Sequence, residues 1–344
     1  MNFSRIRNRL LISMLLGIVV FAVLLAYGDF RRIGTHLEEF RWELAPLILL
    51  VTFGNYALRF IKWEYYLRQI GVRGLRRTDS FLIYFSGLGM TVTPGKIGEW
   101  LKSYLLKEVH GTPVTRSTPI LLAERLTDSL GLLIIAGAGV AVFGPEYWPV
   151  IGAIAVGAVV VIAVSRHRPA AHGLLGLLAR VPVVRRFEPH FEELYESTYV
   201  LMQPGGVALM TALSVVSWFF EVLAFYLVLT GLGVSGSFDT LFKAAFILPI
   251  ATLAAAFLAT PGGLGVAELG ITSLTQRLLV KAPAFADPRA TATLATILVR
   301  LATLWFGVVL GLAMFALLAR KLSRAGHSMG ADGEPLPAMP AAET

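Results

Sequence analysis

Thr93-Pro94-Gly95-Lys96-Ile97-Gly98-Glu99 and Thr260-Pro261-Gly262-Gly263-Leu264-Gly265-Val266-Ala267-Glu268 decide how this chain is read. Both stretches run Thr-Pro-Gly-x-x-Gly with a carboxylate close behind. Each follows an apolar run, from Phe81 or from Leu241, and each leads into an amphipathic one. Proline lacks a backbone donor and clashes with the preceding turn, and glycine loses more backbone freedom than other residues, so both destabilise a helix interior. Two such breaks at matching places in apolar sequence are the pattern of paired broken helices in a membrane. Pro94, Gly95, Gly98, Pro261, Gly262, Gly263 and Gly265 are the candidate hinge positions.

The surrounding sequence supports a membrane setting. The chain has 344 residues, 56% hydrophobic and 15% charged, with a mean hydropathy of +0.70. A soluble domain carries about 25% charge, and several apolar runs here reach the ~17–25 residues that span a bilayer. The fold class is therefore an all-α polytopic membrane protein, with about six full spans and two broken or re-entrant helical hairpins. A net charge of +8 would suggest nucleic-acid binding in a soluble chain. Here the basic residues flank apolar spans, as on the cytoplasmic side of membrane proteins, and nucleic acid is rejected as a partner. With no cysteine, thiolate chemistry and Cys metal sites are excluded.

In chain order, Leu10 to Tyr27 reads as an uncleaved first span, with Arg5, Arg7 and Arg9 holding its N-terminus in the cytoplasm. Leu44 to Trp63 is the second span and leads into basic Arg68, Arg73, Arg76 and Arg77. Phe81 to Val92 and Ile97 to Lys107 are the arms of the first hairpin, too short and polar for two comfortable crossings and so read as re-entrant. Pro119 to Phe143 and Tyr147 to Val164 are the third and fourth spans. Ala170 to Gln203 reads as a cytoplasmic surface helix, with Glu188, Glu192, Glu193 and Glu196 on a solvated face. Val207 to Leu229 is the fifth span, Leu241 to Ala259 and Val266 to Leu279 the second hairpin, and Ala290 to Ala319 the last span. A disordered tail is expected after Arg320, Lys321 and Arg324.

The halves echo each other beyond the turns. Thr52, Asn55 and Arg59 share one helical face, and Ser214, Ser217 and Glu221 repeat that spacing. Arg59 stands 12 positions before Gly71, and Glu221 stands 12 before Gly233. The organisation is then a first span and loop (1–43), a first unit of span, broken hairpin and span (44–143), a connecting span and surface helix (144–204), a second unit (205–319) and the tail (320–344). The orientation of the spans makes the units antiparallel, an inverted-topology repeat with a site near the midplane. Both termini are placed in the cytoplasm.

The candidate substrate-binding residues are Arg59, Lys96, Glu99, Arg125, Asp128, Glu221, Glu268 and Arg300. Arg300 falls about 18 Å into a helix that starts at Pro288, deep in a core of ~30 Å, where a charge costs at least about 2.5–3.5 kcal/mol. Thr293, Thr296 and Thr303 share its face, which therefore turns inward, and Glu221 is a plausible partner. Arg125 and Asp128 are three apart and can pair within one helix. Two readings stand side by side. These charges lock helices together, or they meet a lipid phosphate, helped by half-helix N-termini at the turns.

Enzyme motifs fail on inspection. Gly95-Lys96 follows Gly89 at the wrong spacing for a P-loop, and Ile97 replaces the needed Ser or Thr. Gly263-x-Gly265 has Glu268 where a dinucleotide fingerprint wants glycine. The six histidines fall in loops or surface segments, with no metal-binding spacing. No catalytic residue, cofactor or metal is expected.

Arg59-x-x-Lys62-Trp63, Gly71, Pro94-Gly95-Lys96-Ile97-Gly98-Glu99 and Glu124-Arg125-x-x-Asp128 together resemble the membrane region of lysylphosphatidylglycerol synthases, also described as flippase-like. Pro261-Gly262-Gly263-Leu264-Gly265 with Glu268, and Arg300, look like that family's second block. The resemblance implies a protein of the bacterial cytoplasmic (inner) membrane that moves a phospholipid, isoprenoid-linked or hopanoid-like lipid between leaflets. Glu99 and Glu268 would orient Arg125 and Arg300 or carry coupling protons. The stretch after the last span is short for the soluble aminoacyltransferase domain of the full-length synthases, so aminoacyl transfer is not implied. The alternative is a membrane enzyme, or an accessory subunit, of lipid or glycolipid biosynthesis, with a biosynthetic enzyme as its partner.

Overall fold

The computed structural model describes residues 3–93, 97–143, 191–258, 260–281 and 285–324, with scattered positions between 148 and 167. The expected fourth span, the surface stretch up to residue 190 and the tail therefore lie wholly or largely outside the described residues. The described elements are helical throughout. Helix α1 (Phe3–Tyr27) and α2 (Phe30–Glu38) lead through a short 3-10 turn into α3 (Ala45–Gln69). The first hairpin is α4 (Arg77–Leu88) and α5 (Ile97–His110), followed by α6 (Val114–Phe143). After α7 (Phe191–Leu201) come α8 (Pro204–Gly231), the second hairpin α9 (Phe238–Phe257) and α10 (Val266–Leu278), then α11 (Pro288–Arg300) and α12 (Phe306–Arg324). A π turn, Leu301–Trp305, joins the last two into one long helix.

Helix boundaries follow local chemistry. Proline starts α8 and α11 at a position where its missing N–H would have no partner anyway. Ser237 caps α9 by accepting from the Thr240 N–H at 3.2 Å. The ends of α3 and α8 are built alike. Gly71 and Gly233 take positive φ, 77° and 84°. Val72 N–H donates to the Leu67 carbonyl and Val234 N–H to the Leu229 carbonyl, each at 3.0 Å, the glycine-terminated C-cap. The 12-residue echo read from sequence is thus the distance from a charged residue to a common helix stop.

Four segments are long and apolar enough to cross a membrane: 42–69, 204–231, 238–257 and 288–322. One of them is the first arm of the second hairpin, α9, whose 20 residues reach about 30 Å at 1.5 Å per residue. It starts at Phe238, a turn before the apolar run, because Ser237 supplies the cap. Helix α6 begins at Val114, ahead of the expected start at Pro119, and carries that proline inside the helix.

Packing links the two units reciprocally. Helices α3 and α8 run antiparallel: Gly54 lies against Phe220, Lys62 bonds Ser214, and Gly206 lies against Tyr65. The first arm of each hairpin packs on the last span of the other unit, α4 on α12 and α9 on α6. Small residues let the backbones approach: Gly89 meets Gly311, and Gly139 meets Phe242 and Phe246. One apolar core gathers Trp63, Phe85, Leu105 and Ile120 around α3 to α6. The other gathers Val222, Phe225, Phe246 and Ile271 around α6 and α8 to α10.

Candidate functional site

Between the two cores the facing polar stripes of α3 and α8 meet. Thr52, Asn55, Ser214 and Ser217 are fully buried. Beyond them opens a cavity of about 180 Å³. Its lining includes Arg59 and Tyr56 of α3, Tyr84 of α4, Lys102 of α5, Arg125 of α6, Trp218 and Glu221 of α8, and Arg300. Gly262 and Gly263 bring the second turn to its wall.

The charges are arranged in layers. Asp128 of α6 is the hub. It accepts from Lys62 Nζ at 2.6 Å, Arg59 Nη2 at 2.9 Å and Ser214 Oγ at 3.0 Å. Lys62 is 2% exposed, so both its amine and its carboxylate partner are out of water. Arg59 also lies over the Trp218 ring, 5.2 Å from its centroid, a cation–π contact. Lys102 Nζ donates to Glu124 Oε2 at 2.6 Å and lies between the rings of Trp63 and Tyr84, at 4.9 and 5.2 Å. Breaking such buried pairs is costly, about 3–5 kcal/mol, whereas their net contribution against an apolar replacement is small.

The second turn has its own pair. Gly262, Gly263 and Gly265 have φ of 59°, 75° and 84°, a left-handed path that side chains resist. It ends α9 and starts α10 so that Glu268 reaches back to accept from the Gly265 N–H at 2.7 Å. The other oxygen of Glu268 accepts from Arg300 Nε at 2.6 Å, and Arg300 Nη2 donates to the Gly262 carbonyl at 2.6 Å. The turn, the hairpin arm and the last span are thereby tied through one guanidinium. Immediately after Arg300, the π turn places the Thr303 carbonyl where the Tyr56 hydroxyl donates to it. Such turns are frequent at functional positions.

Several sequence expectations are sharpened or corrected. Arg300 does turn inward with Thr293, Thr296 and Thr303. Its ion-pair partner is Glu268, not Glu221, because the hairpin turn brings Glu268 closer. The Glu268 carboxylate accepts from the Arg300 guanidinium at 2.6 Å. Arg125 and Asp128 lie 3.9 Å apart, but the Asp128 oxygens are bonded by Lys62 and Arg59. At the start of α10 the N–H of the N-cap residue Gly265 donates to Glu268. Pro94, Gly95 and Lys96 lie outside the described residues. Gly98 and Glu99 fall in the first turn of α5, where side chains are outside the described ones. Pro261 opens the second turn.

Lys62, Lys102 and Glu124 carry the pairs that sequence reasoning did not select. The signal was present. Lys62 stands one turn after Arg59, and Glu124 and Asp128 stand four apart on one face of α6. Nothing in the sequence pointed Lys102 at Glu124 across a helix pair. Among the described residues no group of His, Asp and Glu could hold a metal ion.

Comparison with known proteins agrees with this architecture. Residues 14–311 match the family described as the lysylphosphatidylglycerol synthase TM region. A UPF0104 membrane protein of Methanothermobacter thermautotrophicus is 24% identical over 285 residues, covering 75% of this chain and 80% of that protein. The glycosyltransferase AglD of Haloferax volcanii is 25% identical over 324 residues, covering 82% of this chain and 51% of AglD, so the chain spans about half the length of that relative. No solved structure matches. The chain is a multi-pass membrane protein and belongs to the lysylphosphatidylglycerol synthase transmembrane-region family.

Proposed function

We propose that this protein moves an anionic lipid between the leaflets of the cytoplasmic membrane, with both termini in the cytoplasm. The observation that carries the proposal is the cavity at the junction of the two units, lined by Arg59, Lys102, Arg125 and Arg300. Cations at this depth in a membrane are costly and mark substrate paths. The aromatic rings of Tyr56, Tyr84 and Trp218 line the same space and suit the glycerol or sugar side of a head group. Its volume fits a phosphate-bearing head group, with the acyl chains left in lipid. The antiparallel α3–α8 pair, the shared helix stops and the reciprocal hairpin contacts support reading the two units as an inverted repeat, in which rocking of one unit on the other exposes a central site alternately.

The test is binding in detergent. Short-chain phosphatidylglycerol should bind at least about tenfold more tightly than the zwitterionic choline lipid, a difference of about 1.4 kcal/mol. Arg125→Gln and Arg300→Gln should erase that preference. Equal binding of both lipids by folded protein would sink the proposal. A second reading, a membrane part of a glycolipid-synthesising machinery, draws on the name of the Haloferax relative. It predicts that deletion abolishes a partner enzyme's product, seen by mass spectrometry.

A further inference from the structure

Around the cavity the described side chains supply five cations (Arg59, Lys62, Lys102, Arg125 and Arg300) and four carboxylates. Three of the carboxylates, Asp128, Glu124 and Glu268, each hold a cation at 2.6 Å. Glu221 is different. It lines the cavity itself, and among the described residues no side-chain cation lies within 4.0 Å of its oxygens. Its polar neighbour is the neutral amide of Asn55, and the charges that act on it come from Arg59 of α3, Arg300 of α11 and Asp128 of α6. Tyr84 of α4, Lys102 of α5 and Arg125 of α6 face the same space. Glu268 lies behind Arg300.

Resting on the transport reading, we infer that Glu221 is the proton-carrying group of the cycle, taking up one proton as an anionic head group enters and releasing it as the head group leaves. An ionised Glu221 beside a phosphate adds like charge in a site already poor in water, while the protonated form removes it. By linkage, whatever the anion does to the proton's affinity the proton does to the anion's, so the two bind together. Asp128, Glu124 and Glu268 are unsuited to the role, because protonating any of them strands a buried cation. The proton passes from water on the open side to a Glu221 oxygen and returns to water on the other side. No bond to the lipid forms or breaks. A phosphodiester monoanion and one proton cross as a neutral pair.

The experiment uses vesicles containing the full chain and acyl-labelled phosphatidylglycerol, with the membrane voltage clamped by potassium and an ionophore. One pH unit, acid outside, should draw the labelled lipid inward toward a leaflet ratio of about tenfold. Glu221→Gln should give the same distribution with and without the gradient, and Glu221→Asp should keep the response. A measurement independent of that variant's folding is proton uptake by wild-type protein in weak buffer, expected at about one proton per short-chain phosphatidylglycerol bound. Lipid movement that ignores the gradient, a Glu221→Gln variant that responds as wild type, or binding without proton uptake would each overturn the inference and leave transport standing. No lipid movement at any pH would instead remove the transport reading and this inference with it.

Discussion

Replacing Asp128 by Asn tests the hub of the charge network. The change keeps the shape and removes one charge. It leaves Lys62 and Arg59 facing a neutral amide at positions now 2.6 and 2.9 Å from carboxylate oxygens. Breaking one buried ion pair costs about 3–5 kcal/mol. Here Lys62 and Arg59 share one carboxylate, with Arg125 a third cation at 3.9 Å, so the losses overlap rather than add. Arg59 lines the cavity and can take up water, whereas Lys62 has no such exit. The expected cost is therefore about 4 kcal/mol, dominated by Lys62. The assay is reversible unfolding in mixed detergent micelles. Lys62→Met in the Asp128→Asn background should recover most of the loss, because an apolar replacement of a buried pair is near neutral. A cost under about 1 kcal/mol for Asp128→Asn, or no recovery on adding Lys62→Met, would refute the reasoning, since an uncompensated buried amine cannot be nearly free of cost.

Other outcomes follow from the same structure. Gly71→Ala and Gly233→Ala should each destabilise by about 1 kcal/mol or more, because both sites need positive φ; unequal effects, one near zero, would break the equivalence of the two helix stops. Gly311→Leu should disrupt the α4–α12 contact at Gly89 by about 1–3 kcal/mol or more, read as loss of folded protein on size-exclusion chromatography. Burial pushes the Asp79 carboxyl up, but bonds from Lys321 and Arg76 outweigh it and hold it below the ordinary carboxylate range. Its contribution to stability is thus present above the unfolded-state value of ~3.9 and is lost as pH falls through the lower folded value. Asp79→Asn should lower stability at neutral pH and flatten this acid limb of the unfolding profile. Reporters fused after Lys107 and after Val280 should lie on opposite sides of the membrane; the same side for both would rule out antiparallel units.

Much of the fold is legible in the sequence because a membrane leaves few options. Apolar runs must be helical, and Thr-Pro-Gly-x-x-Gly inside them must break. The inward face of Arg300 with its threonines was readable for the same reason, since a charge at that depth cannot face lipid. Pairing was less legible. Glu268 and Glu221 are both acidic, and only the left-handed path through Gly262, Gly263 and Gly265 decides that Glu268 reaches Arg300. Lys102 meets Glu124 because α5 folds back on α6, a tertiary fact with no local pattern. Helix α9 starts three residues before the apolar run at Leu241, because Ser237 caps a polar first turn.

Transbilayer movement of labelled lipid by purified protein in vesicles tests the central claim most directly. A fluorescent phosphatidylglycerol, quenched from outside by a membrane-impermeant reductant, should become fully accessible with wild-type protein and remain about half protected with folded Arg300→Gln. Full protection of the inner pool with folded wild-type protein, across phosphatidylglycerol, isoprenyl phosphate and hopanoid-type lipids, would contradict the account.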